Sequence, residues 1–304
     1  MFEANWCLDQ SFAGVVQQAW SGRNDNAVDK LAQAEGGVFR VHVNNGKNEQ
    51  GWRNDCFISM IQDPIDKNLE EILEVQLGLN LEADKDEIFW EQRAKINWLK
   101  HGDRNTSFFH RSAISRHARN RITGFESAEG RWVSRPDVML TKAVKFFGEL
   151  YTASDLFGEH RLLDLVEERV TPAMNDELLK PFLEDEIWQA VKSMAPIKAP
   201  GIDGFPALFF QKYWDVIGSD ISRYCLAVLE GEIEMGEINK THIVLIPKVD
   251  RPKALSQFQP ISLCNVIYKI IAKVMVNRMS HILGHCIDVA QGLSFLGDKF
   301  LTIL

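Results

Sequence analysis

The segment Pro196-Ile-Lys-Ala-Pro-Gly-Ile-Asp-Gly204 constrains the fold more than any other part of the chain. A helix cannot run through it, because each proline lacks an N–H and disfavours helical geometry in the residue before it. Gly201 and Gly204 are turn glycines that let the backbone approach another element closely. Helical patterns run up to this loop from both sides. Ile187, Ala190, Val191 and Met194 recur at i, i+3, i+4 and i+7, which predicts a short amphipathic helix over 184–194 that ends at Ala195. Phe205 to Leu229 predicts one long helix rich in aromatics. His242-Ile-Val-Leu-Ile246 is β-branched, brief and closed by Pro247, which predicts a strand. Val266, Ile267, Ile270, Ile271, Val274 and Met275 predict a buried helix over 262–283. Helices joined by such loops beside a short strand give an α+β chain.

Upstream the signals are weaker. Asp63 and Pro64 suit the start of a helix and Gly102 its stop, with Gly78 and the polar run near Asp84 expected to break it in two. A second helix starts near Asp103 with Phe108 and Phe109 as buried anchors. Ser127-Ala-Glu-Gly130 reads as a turn before a helical stretch through Phe146 and Phe147. Residues 22–60 have little periodicity and read as loop or badly specified sequence.

Charge points to a partner. The net charge is −8, which by itself argues against a polyanion, but the charge is segregated along the chain. Residues 63–90 hold nine acidic and two basic side chains, whereas 91–121 hold eight Lys/Arg, three His and two acids. Residues 149–186 are acidic again, with eleven acids against three bases. Residues 240–278 then carry seven Lys/Arg and one acid, Asp250. Two basic blocks in an acidic chain are a reason to look for a polyanion as partner. Five cysteines, odd in number and never closely paired, exclude a disulfide framework and fit a reducing compartment. The absence of a signal peptide or a long apolar run predicts an intracellular protein, nuclear or cytoplasmic, neither secreted nor membrane-bound.

Several collinear blocks carry a resemblance. Residues 194–220, from Met-Ala-Pro-Ile-Lys-Ala-Pro-Gly-Ile-Asp-Gly onward, closely resemble a block of non-LTR retrotransposon reverse transcriptases, the LINE-type elements of plants above all. Residues 241–279 continue it with Thr-His-Ile-Val-Leu-Ile-Pro-Lys248 and Pro-Ile-Ser-Leu-Cys-Asn-Val-Ile-Tyr-Lys. Residues 97–111, Asn-Trp-Leu-Lys-His-Gly-Asp-Arg-Asn-Thr-Ser-Phe-Phe-His-Arg, are similar to the segment joining endonuclease to polymerase in the same polyproteins. Phe2-Glu-Ala-Asn-Trp6, with Phe12, Val15, Val16 and Trp20, is similar to the end of their endonuclease.

The resemblance implies an RNA-directed DNA polymerase fragment, with a residual RNA/DNA-binding module or a degenerate product of no retained function as the alternatives. Residues 1–21 would be an endonuclease remnant, 22–62 a linker, 63–125 a helical basic connector and 126–195 a helical extension. Residues 196–304 would be the fingers of a right-hand polymerase, cut before the palm. The implied partners are an RNA template and a DNA primer. The implied cofactor is Mg²⁺ in the full-length protein, held by aspartates that include an adjacent Asp-Asp pair and stabilising both oxygens of an in-line displacement. This chain has no Asp-Asp dipeptide, so no cofactor and no catalytic residue are expected in it. Activity would require palm and thumb sequence downstream.

The same resemblance implies a nucleotide phosphate contact for Lys248, with an exposed hairpin lysine as the alternative. Gln259 stands where the family has Arg, and a neutral amide brings no counter-charge and no guanidinium fork to a phosphate. Lys198 would face template or nucleotide, or else be a solvated loop lysine. Pro200, Gly201, Asp203 and Gly204 are structural loop residues, Asp203 as a turn or cap. In the basic connector Lys100, Arg104, Arg111, Arg116, Arg119 and Arg121 are assigned to nucleic acid, with pairing to the acidic run at 63–90 as the alternative, while Trp90, Trp98, Phe108 and Phe109 are assigned to the core. His281 and His285, four apart on a helix beside Cys286, read as surface histidines.

Overall fold

The computed structural model describes residues 7, 10–21, 26–34, 66–94, 106–127, 130–152 and 169–286. Helices α1 (Gln10–Trp20), α2 (27–34), α3 (Asp66–Ala94) and α4 (Thr106–Asn120) come first. They are followed by strands β1 (Phe125–Glu126) and β2 (Trp132–Val133) and by helices α5 (Pro136–Tyr151) and α6 (Pro172–Leu178). Next are α7 (Glu184–Ser193), α8 (Ala207–Lys212) and α9 (Trp214–Leu229), then β3 (His242–Pro247), β4 (Phe258–Leu263) and α10 (Val266–Cys286). The two sheets have two strands each, β1 with β2 and β3 with β4. The chain is therefore α+β at the coarse level, as the sequence leads one to expect.

The contacts divide the chain into two compact units. The first comprises residues 1–114, 183–241 and 263–271. Its core forms where aromatic residues of α1, of α8 and of the positions flanking α8 converge. Phe12, Phe205, Phe209, Phe210 and Tyr213 are buried, and Phe12 meets the Tyr213 ring edge-on at 5.5 Å. Each such ring pair adds about 0.5–1.5 kcal/mol beyond the area it buries. Ile187, Ala190 and Val191 of α7 and Ile217, Ile221 and Cys225 of α9 complete this core.

Helix α7 follows its sequence signals closely. The Leu183 N–H donates to Glu186 Oε2 at 2.8 Å, which satisfies an orphan donor at the N-terminus. Acidic Glu184, Asp185 and Glu186 occupy the first turn and Lys192 the last, each favoured by the helix dipole. At the far end Gln211 Nε2 donates to the carbonyls of Val191 and Met194, at 2.9 and 2.8 Å. A side chain from α8 thus caps the helix that enters the proline loop.

Four readings of the sequence need correction. The long helix expected over 205–229 is two, divided at Tyr213, whose backbone sits at φ −103°, ψ 18°. The division buries Tyr213 and lets Trp214 stack on Trp188 at 4.9 Å, so both neighbouring aromatics find partners. Gly78 does not break α3, which is continuous from Asp66 to Ala94. One glycine costs about 1 kcal/mol relative to Ala, too little to end a helix of 29 residues rich in good helix formers. Residues 22–60 are not all loop, since α2 lies inside them. Asn26 caps it by accepting the Val28 N–H at 3.0 Å, and Ala27, Leu31 and Ala34 face the core. The stretch around the 127–130 turn is a strand pair as well as a turn.

The second unit comprises residues 115–182, 242–262 and 272–304. Strands β1 and β2 are antiparallel, with Phe125 opposite Val133 and Glu126 opposite Trp132. Gly130, at φ +73°, closes the turn by donating its N–H to the Ser127 carbonyl at 2.9 Å. Alternation puts Phe125 and Val133 on one face of the ribbon and Trp132 and Glu126 on the other. Phe125 is buried, as is Phe258 of β4. Arg278 of α10 donates to the Leu178 and Pro181 carbonyls at 3.2 and 2.7 Å and lies 3.8 Å from the centre of the Phe182 ring. Among the described residues no helix is long and apolar enough to cross a membrane.

Candidate nucleic-acid interface

The proline loop of the first unit is built for closure. Gly201 lies against the start of α10. A Cβ there would sit 2.3 Å from Asn265 Oδ1 and 2.5 Å from the Asn265 backbone nitrogen. Asn265 is buried, and its Oδ1 accepts the Asp203 N–H at 3.4 Å. Asp203 Oδ1 accepts the Phe205 N–H at 3.4 Å, a local turn closed by its carboxylate. Gly204 occupies the left-handed region at φ +73°, and Pro200 is buried. Lys269 reaches the loop from α10 and donates to the Ala199 carbonyl at 3.0 Å. Burial pulls its ammonium below the usual lysine range. Cys264 and Asp203 work against that shift, and Lys198 adds to it. Lys198 itself is exposed.

The charged surface of the second unit is built differently. Helix α4 ends with Arg119 in its last turn, where a cation complements the helix dipole. Arg121 follows directly. The connection between β3 and β4 brings Asp250, Arg251 and Lys253 to the same cavity, which has a volume of about 560 Å³. Arg119, Arg121, Arg251 and Lys253 line it together with Trp132. The rim is tied down by hydrogen bonds to its backbone. The Glu126 N–H of β1 donates to the Lys253 carbonyl at 2.6 Å, and Gln257 Oε1 accepts the Lys253 and Ala254 N–H groups at 2.7 and 3.2 Å. Arg251 adopts φ +52°, a left-handed conformation that a side chain with a Cβ rarely takes.

The rim cations are weakly neutralised. Arg119 and Asp250 approach to 3.8 Å with side chains 70% and 91% exposed, a pairing worth at most about 1 kcal/mol. Among the described residues the side chains of Arg121, Arg251 and Lys253 form no hydrogen bond or ion pair.

The residues singled out in the sequence are thus dispersed. Arg111 and Arg116 are exposed along α4, and Arg111 Nε donates to the Ser107 carbonyl at 3.3 Å. Arg119 and Arg121 line the cavity. Lys248 is exposed just beyond β3, its N–H donating to the Gln257 carbonyl at 2.8 Å and its Nζ to the Ser256 carbonyl at 3.3 Å. Gln259 is exposed on β4. Neither lines the cavity. Lys100, Arg104 and Trp98 lie outside the described residues. Phe109 is buried, and Trp90 packs edge-on against His110 at 4.2 Å. Arg251, Lys253 and Trp132 are site residues that the sequence reading did not single out. The excess of Lys and Arg over 240–278 was the signal for the first two.

No protein-family model matches the chain. It is 28% identical over 211 residues to the uncharacterized 149 kDa protein of transposon TX1 from Xenopus laevis, a match covering 67% of this chain and 16% of that protein. The chain therefore spans a small part of the relative it matches, and the likeness supports a transposon-related origin.

Proposed function

We propose that this chain is the nucleic-acid-binding front part of a retrotransposon reverse transcriptase, with the cavity between α4, β1–β2 and the β3–β4 connection as its interface with RNA. The observation that carries this reading is convergence. The two basic blocks of the sequence, far apart along the chain, put Arg119 and Arg121 beside Arg251 and Lys253 on one tethered rim. Exposed guanidinium and ammonium groups with few counter-charges neutralise phosphates and release condensed counterions. The likeness to a transposon protein and the resemblance of residues 194–220 and 241–279 to reverse transcriptases supply the context. Template and primer are the partners in this reading, and Mg²⁺ belongs to the complete polymerase. Lys248 and Lys198 are secondary contacts, and Gln259 marks a weakened nucleotide site. With no Asp-Asp pair in its sequence, this chain is expected not to extend a primer.

The test is anisotropy of a labelled RNA titrated with the purified chain across a salt series. A variant carrying Arg119→Gln, Arg121→Gln, Arg251→Gln and Lys253→Gln is measured beside it. Each cation that no longer neutralises a phosphate lowers the slope of log K against log salt by about 0.7 for single strands, so removing all four lowers it by between about two and three. The variant should unfold at the same urea concentration as the wild type, because exposed side chains contribute little to stability. An unchanged slope in a folded variant would place the interface elsewhere.

A further inference from the structure

The cavity contains one group that phosphate binding does not use. Trp132 is 54% exposed, yet it sits on a two-residue strand whose other face is closed over buried Phe125. Its indole is held close by Gly124, where a Cβ would come within 2.7 Å of both Nε1 and Cε2. A residue other than glycine at 124 would push the ring away. Around it stand Arg119, Arg121, Arg251 and Lys253. A large aromatic, fixed on one side and open on the other in a cavity lined by four cations and the carboxylate of Asp250, presents a π-face where a strand's phosphates would be neutralised. The volume of about 560 Å³ lies within the range of small-ligand pockets, enough for one nucleotide unit.

We propose that Trp132 is a stacking platform for one unpaired base of a single-stranded nucleic acid, with the four surrounding cations taking its flanking phosphates. This rests on the reading of the rim as a nucleic-acid interface and adds a preference for single strands over duplex. A base inside a duplex is already stacked on its neighbours and has no face to offer the indole. Arg251 supports the assignment. A left-handed backbone at an arginine followed by Pro252 is an unfavourable conformation, held here in the segment that lines the cavity.

Binding is measured for the wild type, Trp132→Ala, Trp132→Leu and Trp132→Phe. The probes are a short unstructured RNA, the DNA of the same sequence, and the corresponding RNA duplex. Loss of one base–aromatic stack is expected to weaken single-strand binding by between about five- and a hundredfold in the alanine and leucine variants. Phenylalanine should restore most of it. Leucine keeps an apolar cover over Gly124, so a loss shared by leucine and alanine does not reflect misfolding. RNA and DNA should lose equally, because stacking does not read the 2′-hydroxyl. Duplex affinity and the salt slope should not move. Equal losses on duplex and single strand, a loss confined to RNA, or no loss in either variant would overturn the platform. If that happened while the wild type kept its steep salt slope, the phosphate interface would still stand. A wild type that binds none of the three probes would overturn both.

Discussion

The proline loop of the first unit and the cavity rim of the second are both rich in polar and basic groups, and they use them in opposite ways. In the loop the polar atoms turn inward. Asn265 Oδ1 accepts the Asp203 N–H, Asp203 accepts the Phe205 N–H, and Lys269 donates to the Ala199 carbonyl. At the rim, backbone groups and the neutral Gln257 amide do the tethering, and the charged ends are left to solvent. The contrast separates two jobs that a sequence motif merges. The most recognisable segment of this chain, Lys198-Ala-Pro-Gly-Ile-Asp-Gly204, is chiefly a device for closing backbone onto backbone. The cations with fewest internal obligations lie outside it. Substitutions in the loop should therefore change stability, while those at the rim should change binding.

The largest effect is expected from Gly201→Ala. The added Cβ would meet Asn265 Oδ1 at 2.3 Å, the Asn265 nitrogen at 2.5 Å and the Cys264 carbonyl carbon at 2.6 Å. Two of those three atoms are backbone and cannot swing aside. A loss of about 3 kcal/mol is expected in urea unfolding, at the upper end of what overpacked core sites show, because the backbone atoms cannot yield. A G201A chain within about 1 kcal/mol of wild type would show that the loop can move off α10, and the contrast with the rim would collapse. Asn265→Ala should cost less, about 1–3 kcal/mol, because it removes one acceptor and leaves the Asp203 N–H short of a partner. The same unfolding measurement reads it. A result near zero would mean that water replaces the amide.

Much of the first region can be read from residue order. Proline and glycine have strong, local consequences, so the end of α7 before Pro196 and the turn closed by Asp203 and Gly204 follow from sequence alone. The role of Asn265 does not, because nothing in Cys264-Asn265-Val266 says that Gly201 will lie against it. Helix α2 could have been found. Asn26 is an N-cap, and Ala27, Leu31 and Ala34 keep helical spacing, but three small or single apolar residues make a faint stripe among polar neighbours. The single expected strand had to have a partner, and Phe258–Leu263 supplies it with Pro260 in its middle, which lowers its strand signal. The rim was half legible. Charge counting identifies both basic blocks, whereas their meeting at one cavity is a tertiary fact. Trp132 was hidden for a related reason, since a two-residue strand leaves no periodicity to detect.

The smallest expected effect is a pH dependence, and it tests whether the loop is sealed. Burial lowers the Lys269 pKa from the ordinary 10.5, so the folded chain binds the proton less tightly than the unfolded chain does. Between the lowered folded value and 10.5 the unfolded state carries more protons, and stability contributed at this site rises with pH. Two buried thiols act in the opposite sense. Burial pushes Cys225 from 9.0 to about 12 and Cys7 from 9.0 to about 11, so both remain protonated in the fold after they ionise in the unfolded chain, and stability falls above pH 9. Their contribution is common to wild type and to Lys269→Met, and it cancels in the difference between the two. Unfolding free energies of both chains, measured from about pH 8 upward, should therefore diverge in favour of the wild type as pH approaches 10.5. A difference that stays flat would mean that the ammonium keeps its water in the folded state. The bond to Ala199 would then be a surface contact, and the loop would resemble the rim more than the present geometry allows.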